Sequence, residues 1–175
     1  MKRYLFAAAL LIFTVSLKAQ VMKNSDDLTT RIKLIEDRIA LKELVDVFSN
    51  LADQKETEKQ TFLFTENATV ETLVNGQPAG ALKGRKQIGE AFANFLKNFE
   101  VVYHTNGQQT VTINGDKASG TSYCLVVLIG SENGKKMKTT MGVYYFDQYV
   151  RENGKWLIAK RQSTFAWRDH AELGQ

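Results

Sequence analysis

The spacing of apolar residues divides the chain into a helical first part and a stranded second part. In the first part these residues recur every three or four positions, which is the period of an amphipathic helix. A long helix is predicted from a cap at Ser25-Asp26-Asp27 to about Ala52, with a break near Asp37. A short helix is predicted within residues 55–64 and a third over residues 85–99. The apolar positions of the long helix are Leu28, Ile32, Ile35, Ile39, Leu41, Leu44, Val45, Phe48 and Leu51.

From Val101 onward the apolar period changes to two, which is typical of β-strands. The predicted strands are residues 69–74, residues 101–104 and 110–113 (as one strand or a bulged pair), and residues 117–129, 138–150 and 155–167. Asn-Gly pairs follow several of them and accept the positive φ angles of tight turns. At Asn153-Gly154 a hairpin is predicted that places Trp156 opposite residues near Tyr149. Helices followed by a strand meander predict one α+β domain, with the helices on one side of a curved sheet.

The first nineteen residues have the composition of a secretory signal peptide. Met1-Lys2-Arg3 is basic, the next thirteen or so residues are apolar, and Ala19 offers a cleavage site before Gln20. A run of that length is shorter than the roughly 20 residues that span a bilayer. We therefore expect an exported, periplasmic or secreted protein without a stable membrane anchor after cleavage. An uncleaved anchor is the alternative.

Removal of this segment changes the charge of the chain. The full sequence has 23 Lys and Arg against 19 Asp and Glu. Cleavage after residue 19 removes three basic residues and no acidic one, which leaves a net charge of +1. Nucleic-acid binding requires a basic patch or stripe, which this composition does not supply. The lone Cys124 cannot form an intramolecular disulfide and lies in an apolar run, so we expect a buried thiol rather than a nucleophile.

Several local patterns, taken in order, resemble the SnoaL-like family of the nuclear transport factor 2-like superfamily. They are Ala52-Asp53 at the helix end, Phe62-Leu-Phe-Thr-Glu-Asn-Ala68, Gly84-Arg-Lys-Gln-Ile88, His104, Asn114-Gly-Asp-Lys-Ala118 and the hairpin from Tyr145 to Arg161. The resemblance covers about residues 30–168. It implies a cone-shaped barrel, in which three N-terminal helices pack on a strongly curved, mostly antiparallel sheet around an apolar pocket. The expected segments are a signal peptide (1–19), an N-terminal extension (20–30), the SnoaL-like domain (31–168) and a C-terminal tail (169–175).

The resemblance also implies a catalytic pair, Asp53 and His104, at positions where dehydratases of the family carry an aspartate and a histidine. A carboxylate fixes the tautomer of an imidazole, and histidine exchanges protons near neutral pH. These dehydratases have a second histidine on the following strand, where this chain has Ser122 or Tyr123. The alternative is that Asp53 only ends a helix and His104 is a partly buried core histidine. His104 and His170 are far apart in sequence and form a poor metal-ligand set, so no metal or cofactor is expected.

The remaining candidates for substrate binding are aromatic or polar residues of the predicted sheet: Ser122, Tyr123, Tyr145, Arg161 and Trp167. Aromatic walls suit a small apolar or aromatic molecule. Arg161 is a candidate to orient an anionic or carbonyl group, and an ion pair with Asp147 or Glu71 is the alternative. The function expected is small-molecule binding, with cofactor-independent lyase or isomerase chemistry. A ligand-binding protein without turnover and an interaction domain with a vestigial pocket are the alternatives, and a homodimer is expected.

Overall fold

The computed structural model describes the backbone of residues 2–174 and the side chains of residues 27–174. The predicted signal peptide therefore lies outside the side chains described. The chain divides into two compact units, Met1–Ile39 and Ala40–Gln175. Within the described residues, no helix is long and apolar enough to cross a membrane.

The backbone of residues 2–174 forms three helices and six strands. The helices are α1 (Lys2–Asp53), α2 (Thr57–Thr61) and α3 (Gly84–Leu96). The strands are β1 (Phe64–Val74), β2 (Gln77–Lys83), β3 (Val101–Asn114), β4 (Lys117–Glu132), β5 (Lys135–Glu152) and β6 (Lys155–Glu172). The α+β prediction is confirmed.

The predicted beginning of the long helix at Ser25-Asp26-Asp27 and its break near Asp37 are both wrong, because α1 is continuous through these residues. Neither Gly nor Pro occurs between Lys2 and Asp53, so nothing interrupts the hydrogen-bond ladder of the helix backbone. The strand β2 was not predicted. It carries Pro78 and lacks alternation of apolar and polar residues, which suits only an edge strand.

The strands form one sheet in the order β2-β1-β6-β5-β4-β3. All neighbours are antiparallel except β1 and β6, which are parallel. The Asn153-Gly154 turn joins β5 to β6 with φ angles of 50° and 78°, as predicted. Trp156 pairs with Arg151, two residues beyond Tyr149. The strand β6 continues past the predicted end at Trp167 to Glu172, so residues 169–172 pair with β5.

The core of the second unit has two clusters of buried side chains. One joins the C-terminal part of α1 to β1 and β6 through Leu41, Leu44, Phe48, Phe64 and Ile158, among others. The other comprises mainly β4 and β5 residues: Val126, Leu128, Met141, Val143 and Tyr145, with Ala52, Leu96, Val102 and Cys124. Alternate residues of β4 and β5 are buried, so one face of the sheet is covered and the other is largely exposed.

Candidate functional site

Asp53 and His104 are brought together by the end of α1 and the edge strand β3. Asp53 is the last residue of α1, and Lys55 turns the chain away with a positive φ of 58°. His104 lies on β3 with its side chain on the covered face, two positions after the buried Val102. Because β3 is the outermost strand on its side of the sheet, its outward N–H groups are available to α1.

Side chains of β3 fasten this strand to α1. The Asn106 amide donates to the backbone oxygen of Val45 and to Asp46, and it accepts a hydrogen bond from Ser49. Gln109 donates to the backbone oxygen of Leu41. A bulge between Asn106 and Gln109 interrupts the register with β4. These contacts fix the position of the strand that carries His104.

The Asp53 carboxylate accepts two hydrogen bonds from His104. Its Oδ1 lies 2.6 Å from the ring Nδ1, and its Oδ2 accepts the backbone N–H at 3.2 Å. The His104 side chain is 8% exposed and that of Asp53 is 24% exposed. Burial lowers the pKa of His104 below its usual 6.5, although the hydrogen bond and charge of Asp53 oppose this shift. A lowered pKa favours the neutral imidazole, and a neutral ring that donates Nδ1–H to the Asp53 carboxylate leaves Nε2 unprotonated.

His104 lines a cavity of about 760 Å³. The walls are mainly apolar and come from α1, α3 and the covered face of the sheet. They include Phe48, Val70, Leu82, Phe92, Phe95, Phe99, Val126, Leu128, Met141, Tyr145 and Phe165. The polar lining includes Thr72, Asn75, Thr139 and Ser163, and the basic lining is His104, Arg161 and Arg168. Asp53 is not a lining residue, so its carboxylate acts on a ligand in the cavity through the His104 ring.

Arg161 is held at the cavity wall by a buried network. Its Nε and Nη2 donate to the two oxygens of Asp147 at 2.8 and 2.7 Å, and the Tyr149 hydroxyl donates to the same carboxylate at 2.9 Å. The guanidinium lies 4.1 Å from the Phe48 ring centroid and 4.4 Å from that of Tyr145. Burial opposes the charge on Arg161, but Asp147 outweighs it and raises the pKa of Arg161. The Nη1 atom is buried and has no hydrogen-bond partner in the described part of the chain.

The other predicted site residues separate into three groups. Tyr145 lines the cavity, and Trp167 lies at its rim, where it also borders a shallow groove on the outer face of the sheet. Ser122 is buried without a hydrogen-bond partner among the described residues, but it does not line the cavity. The prediction that Tyr123 belongs to the same pocket is wrong. Its side chain lies on the outer face, because strand alternation sends it away from Ser122.

Most of the lining residues were not predicted as site residues, and Phe92, Phe95 and Phe99 are examples. Their spacing of three and four predicts an apolar stripe, but the stripe alone does not distinguish a packed core from a cavity wall. His170 is not a lining residue, but its Nδ1 lies 2.7 Å from Oγ1 of the lining residue Thr139, and its Nε2 lies 3.3 Å from a Glu132 oxygen.

Cys124 is buried, and desolvation raises its pKa to about 12. Such a thiol is not a nucleophile at neutral pH. Among the side chains of residues 27–174, no group of His, Cys, Asp or Glu is placed to hold a metal ion.

The profile of the SnoaL-like domain matches residues 33–162, and the chain belongs to that family. An uncharacterized protein of Mycobacterium tuberculosis (strain ATCC 25618 / H37Rv) is 27% identical over 131 residues, which cover 74% of this chain and 86% of the relative.

Solved structures share the fold. A candidate scytalone dehydratase from Novosphingobium aromaticivorans superposes with a TM-score of 0.68 at 20% identity, covering 80% of this chain and 90% of the other. A hexachlorocyclohexane dehydrochlorinase gives 0.67 at 16% identity over 78% and 90% of the two chains. A protein of N. aromaticivorans, described as nuclear transport factor 2-like with a cystatin-like fold, gives 0.58 at 25% identity over 79% and 87%. The fold is therefore the cone-type nuclear transport factor 2-like fold, as predicted.

Proposed function

We propose that this protein binds a small, mainly apolar molecule in the cavity and catalyses a cofactor-independent proton transfer, as a lyase or isomerase. The observation that carries the proposal is the 2.6 Å contact between Asp53 Oδ1 and the Nδ1 of a histidine that itself lines the cavity. A neutral imidazole with its outer nitrogen free is the form that a general base requires. The fold is shared with a dehydrochlorinase and a candidate dehydratase, both named for elimination reactions.

In the proposed step, Nε2 of His104 takes a proton from a carbon atom of the ligand. In a lyase reaction, the electron pair of the broken C–H bond forms a double bond, and a leaving group departs from the adjacent carbon with its own bonding pair. In an isomerase reaction, the proton returns to a different carbon. The Asp53 carboxylate stabilises the imidazolium that forms and keeps the ring in one orientation.

Arg161 supplies the complementary charge in this proposal. Its Nη1 donor has no partner among the described residues, and the group lines the cavity. A carbonyl oxygen or a departing anion would satisfy that donor, since a buried unpaired donor is costly. The hydrogen bonds to Asp147 and the contacts with the Phe48 and Tyr145 rings hold the guanidinium in place before the ligand arrives.

The main alternative is a ligand-binding protein without turnover. The cavity volume supports either function, and it argues against a vestigial pocket filled by aromatic side chains. The two functions differ in turnover. The proposed enzyme converts its ligand and loses this activity without His104, whereas the ligand-binding protein converts nothing.

Deuterium exchange in D₂O provides a test that does not require the natural substrate. A panel of small apolar cyclic ketones would be incubated with the protein, and loss of the α-proton NMR signal would be followed. We expect exchange of at least one ketone with the natural sequence, and its loss with His104→Gln. The control is His170→Gln, which changes the chain's other histidine, a residue that does not line the cavity. Binding of ketones without exchange above the His104→Gln level would favour the binder.

Export remains a proposal, supported by the basic, apolar and small-residue segments of residues 1–19. N-terminal sequencing of the product from expressing cells should give a chain beginning near Gln20. A product that begins at Met1 would contradict export by cleavage.

A homodimer is also a proposal, supported by exposed apolar side chains on the outer face of the sheet. Tyr103, Tyr123, Leu125 and Phe146 are each between 40% and 58% exposed, and the rings of Tyr123 and Tyr144 are in edge contact. Exposed apolar patches of this kind usually mark an interface. Tyr123→Arg should weaken a dimer that uses this face.

A further inference from the structure

The part of α1 between Asp27 and Ile39 carries a row of exposed apolar side chains. Leu28, Ile32, Ile35 and Ile39 are 54%, 47%, 57% and 60% exposed. Their spacing of four, three and four residues places them on one stripe of the helix. We call these four residues the helix seam.

The helix seam has the heptad spacing of a coiled coil. With Ile32 and Ile39 at the a positions, Leu28 and Ile35 occupy the d positions. Apolar residues at a and d of a helix pack into the matching holes of a partner helix. An exposed β-branched residue is also a poor choice for a solvated helix, because it loses rotamer freedom without burial. The pattern is that of a helix which buries its stripe against another helix.

The charged residues that flank the helix seam are complementary to those of a second copy of the chain, if the two helices are parallel. In this register Arg31 is at g and Glu36 is at the following e, the two positions that face each other across a parallel pair. Arg38 is at the next g position, and the e position that would face it, Glu43, lies four residues beyond Ile39 and outside the helix seam. In an antiparallel pair, g would face g and e would face e, which places like charges together.

We propose that residues 28–39 of α1 associate with the same residues of another copy as a parallel coiled coil. This interface is separate from the outer face of the sheet and does not depend on the proposed chemistry. Residues 28–39 follow the predicted cleavage site after Ala19, so this interface is present with or without removal of the signal peptide. Two heptads are fewer than the three or four that define a strong coiled coil, so weak, concentration-dependent association is expected.

Sedimentation velocity of the full chain over a micromolar concentration series tests the proposal. Ile35→Asp places a charge in the helix seam and should raise the dissociation constant at least about tenfold. Leu34→Asp is the matched control, because Leu34 is 43% exposed, neighbours Ile35 and lies outside the seam. Leu34→Asp lowers helix propensity at least as much as Ile35→Asp does, because Leu is the better helix former. A larger effect of Ile35→Asp on association would therefore not result from lost helix, and circular dichroism checks the helix content of both variants.

A charge exchange tests the orientation. Arg31→Glu and Glu36→Arg should each weaken association, and the double variant should restore it, because the pair of opposite charges is then re-formed between copies. A monomer at every concentration would overturn the proposal, as would equal effects of Ile35→Asp and Leu34→Asp. Association that responds only to Tyr123→Arg would assign self-association to the sheet and overturn it too. Failure of the double variant to restore association would exclude the parallel arrangement proposed.

Discussion

The Asp53 carboxylate contacts both the ring and the backbone of His104, with Oδ1 2.6 Å from Nδ1 and Oδ2 3.2 Å from the backbone nitrogen. One side chain at the end of α1 therefore fixes the orientation of the imidazole and the position of its strand. This makes Asp53 a positioning residue, which acts on a ligand through His104.

Asp53→Asn should abolish most proton transfer and leave the fold intact. The asparagine amide presents an N–H to Nδ1, so the ring proton moves to Nε2 and the base toward the cavity is lost. General acid–base catalysis typically contributes about 10²–10⁴-fold, and the deuterium exchange rate should fall by that order. Asp116→Asn is the control, since Asp116 is largely exposed and pairs with Arg151 at the surface. Equal exchange rates in the two variants would contradict the proposed role.

The stability of the protein should depend on pH through His104. Its pKa is below 6.5 in the folded chain, mainly because it is buried, so the unfolded chain binds more protons in acid. This contribution to stability is present above pH 6.5 and is lost as the pH falls through the lowered folded pKa. Urea unfolding at a series of pH values should therefore show a steeper loss below pH 6.5 for the natural sequence than for His104→Gln. A shallower loss would mean that Asp53 raises the pKa of His104 by more than burial lowers it.

Breaking the Arg161–Asp147 pair by removing one of its two charges should strongly destabilise the protein. Both side chains are buried, at 1% and 0% exposure, so Asp147→Asn leaves an uncompensated buried guanidinium. Breaking a buried pair costs about 3–5 kcal/mol. Glu71→Gln, which breaks the partly exposed pair with Lys160, should cost less than about 1 kcal/mol. Chemical denaturation measures both losses of stability, and similar losses in the two variants would contradict a special cost of breaking the buried pair.

The sequence pattern specifies some features of the fold and site and leaves others open. Asn-Gly turns and period-two strands located the hairpins, and the family resemblance paired Asp53 with His104. Alternation shows that Ser122 and Tyr123 lie on opposite faces, but not which face the helices cover. The pairing of Arg161 with Asp147 rather than Glu71 depends on register, and bulges at Gly142/Val143 and Gln148/Tyr149 set that register without a sequence signal. The cavity results from the spacing of the elements, which apolar periodicity does not encode.

Gly142 should be required for the position of Trp167. A Cβ atom at residue 142 would lie 2.2 Å from the indole Nε1, so Gly142→Ala must displace the ring from the cavity rim. At Gly80 the same atom would meet open space, so Gly80→Ala is the control. The chain has two tryptophans, and NMR of their indole N–H groups should show one signal shifted in Gly142→Ala and neither in Gly80→Ala. Two unshifted signals in Gly142→Ala would contradict this packing.

The location of the proton on His104 is the most direct test of the proposed function. ¹⁵N NMR of histidine-labelled protein, with His170→Gln to remove the other histidine, reports the tautomer and its titration. We expect a neutral ring at pH 7 with the proton on Nδ1, an unprotonated Nε2 and a pKa of His104 below 6.5. Asp53→Asn should move the proton to Nε2. A neutral ring protonated on Nε2 in the natural sequence, or a pKa above 6.5, would contradict a general base facing the cavity.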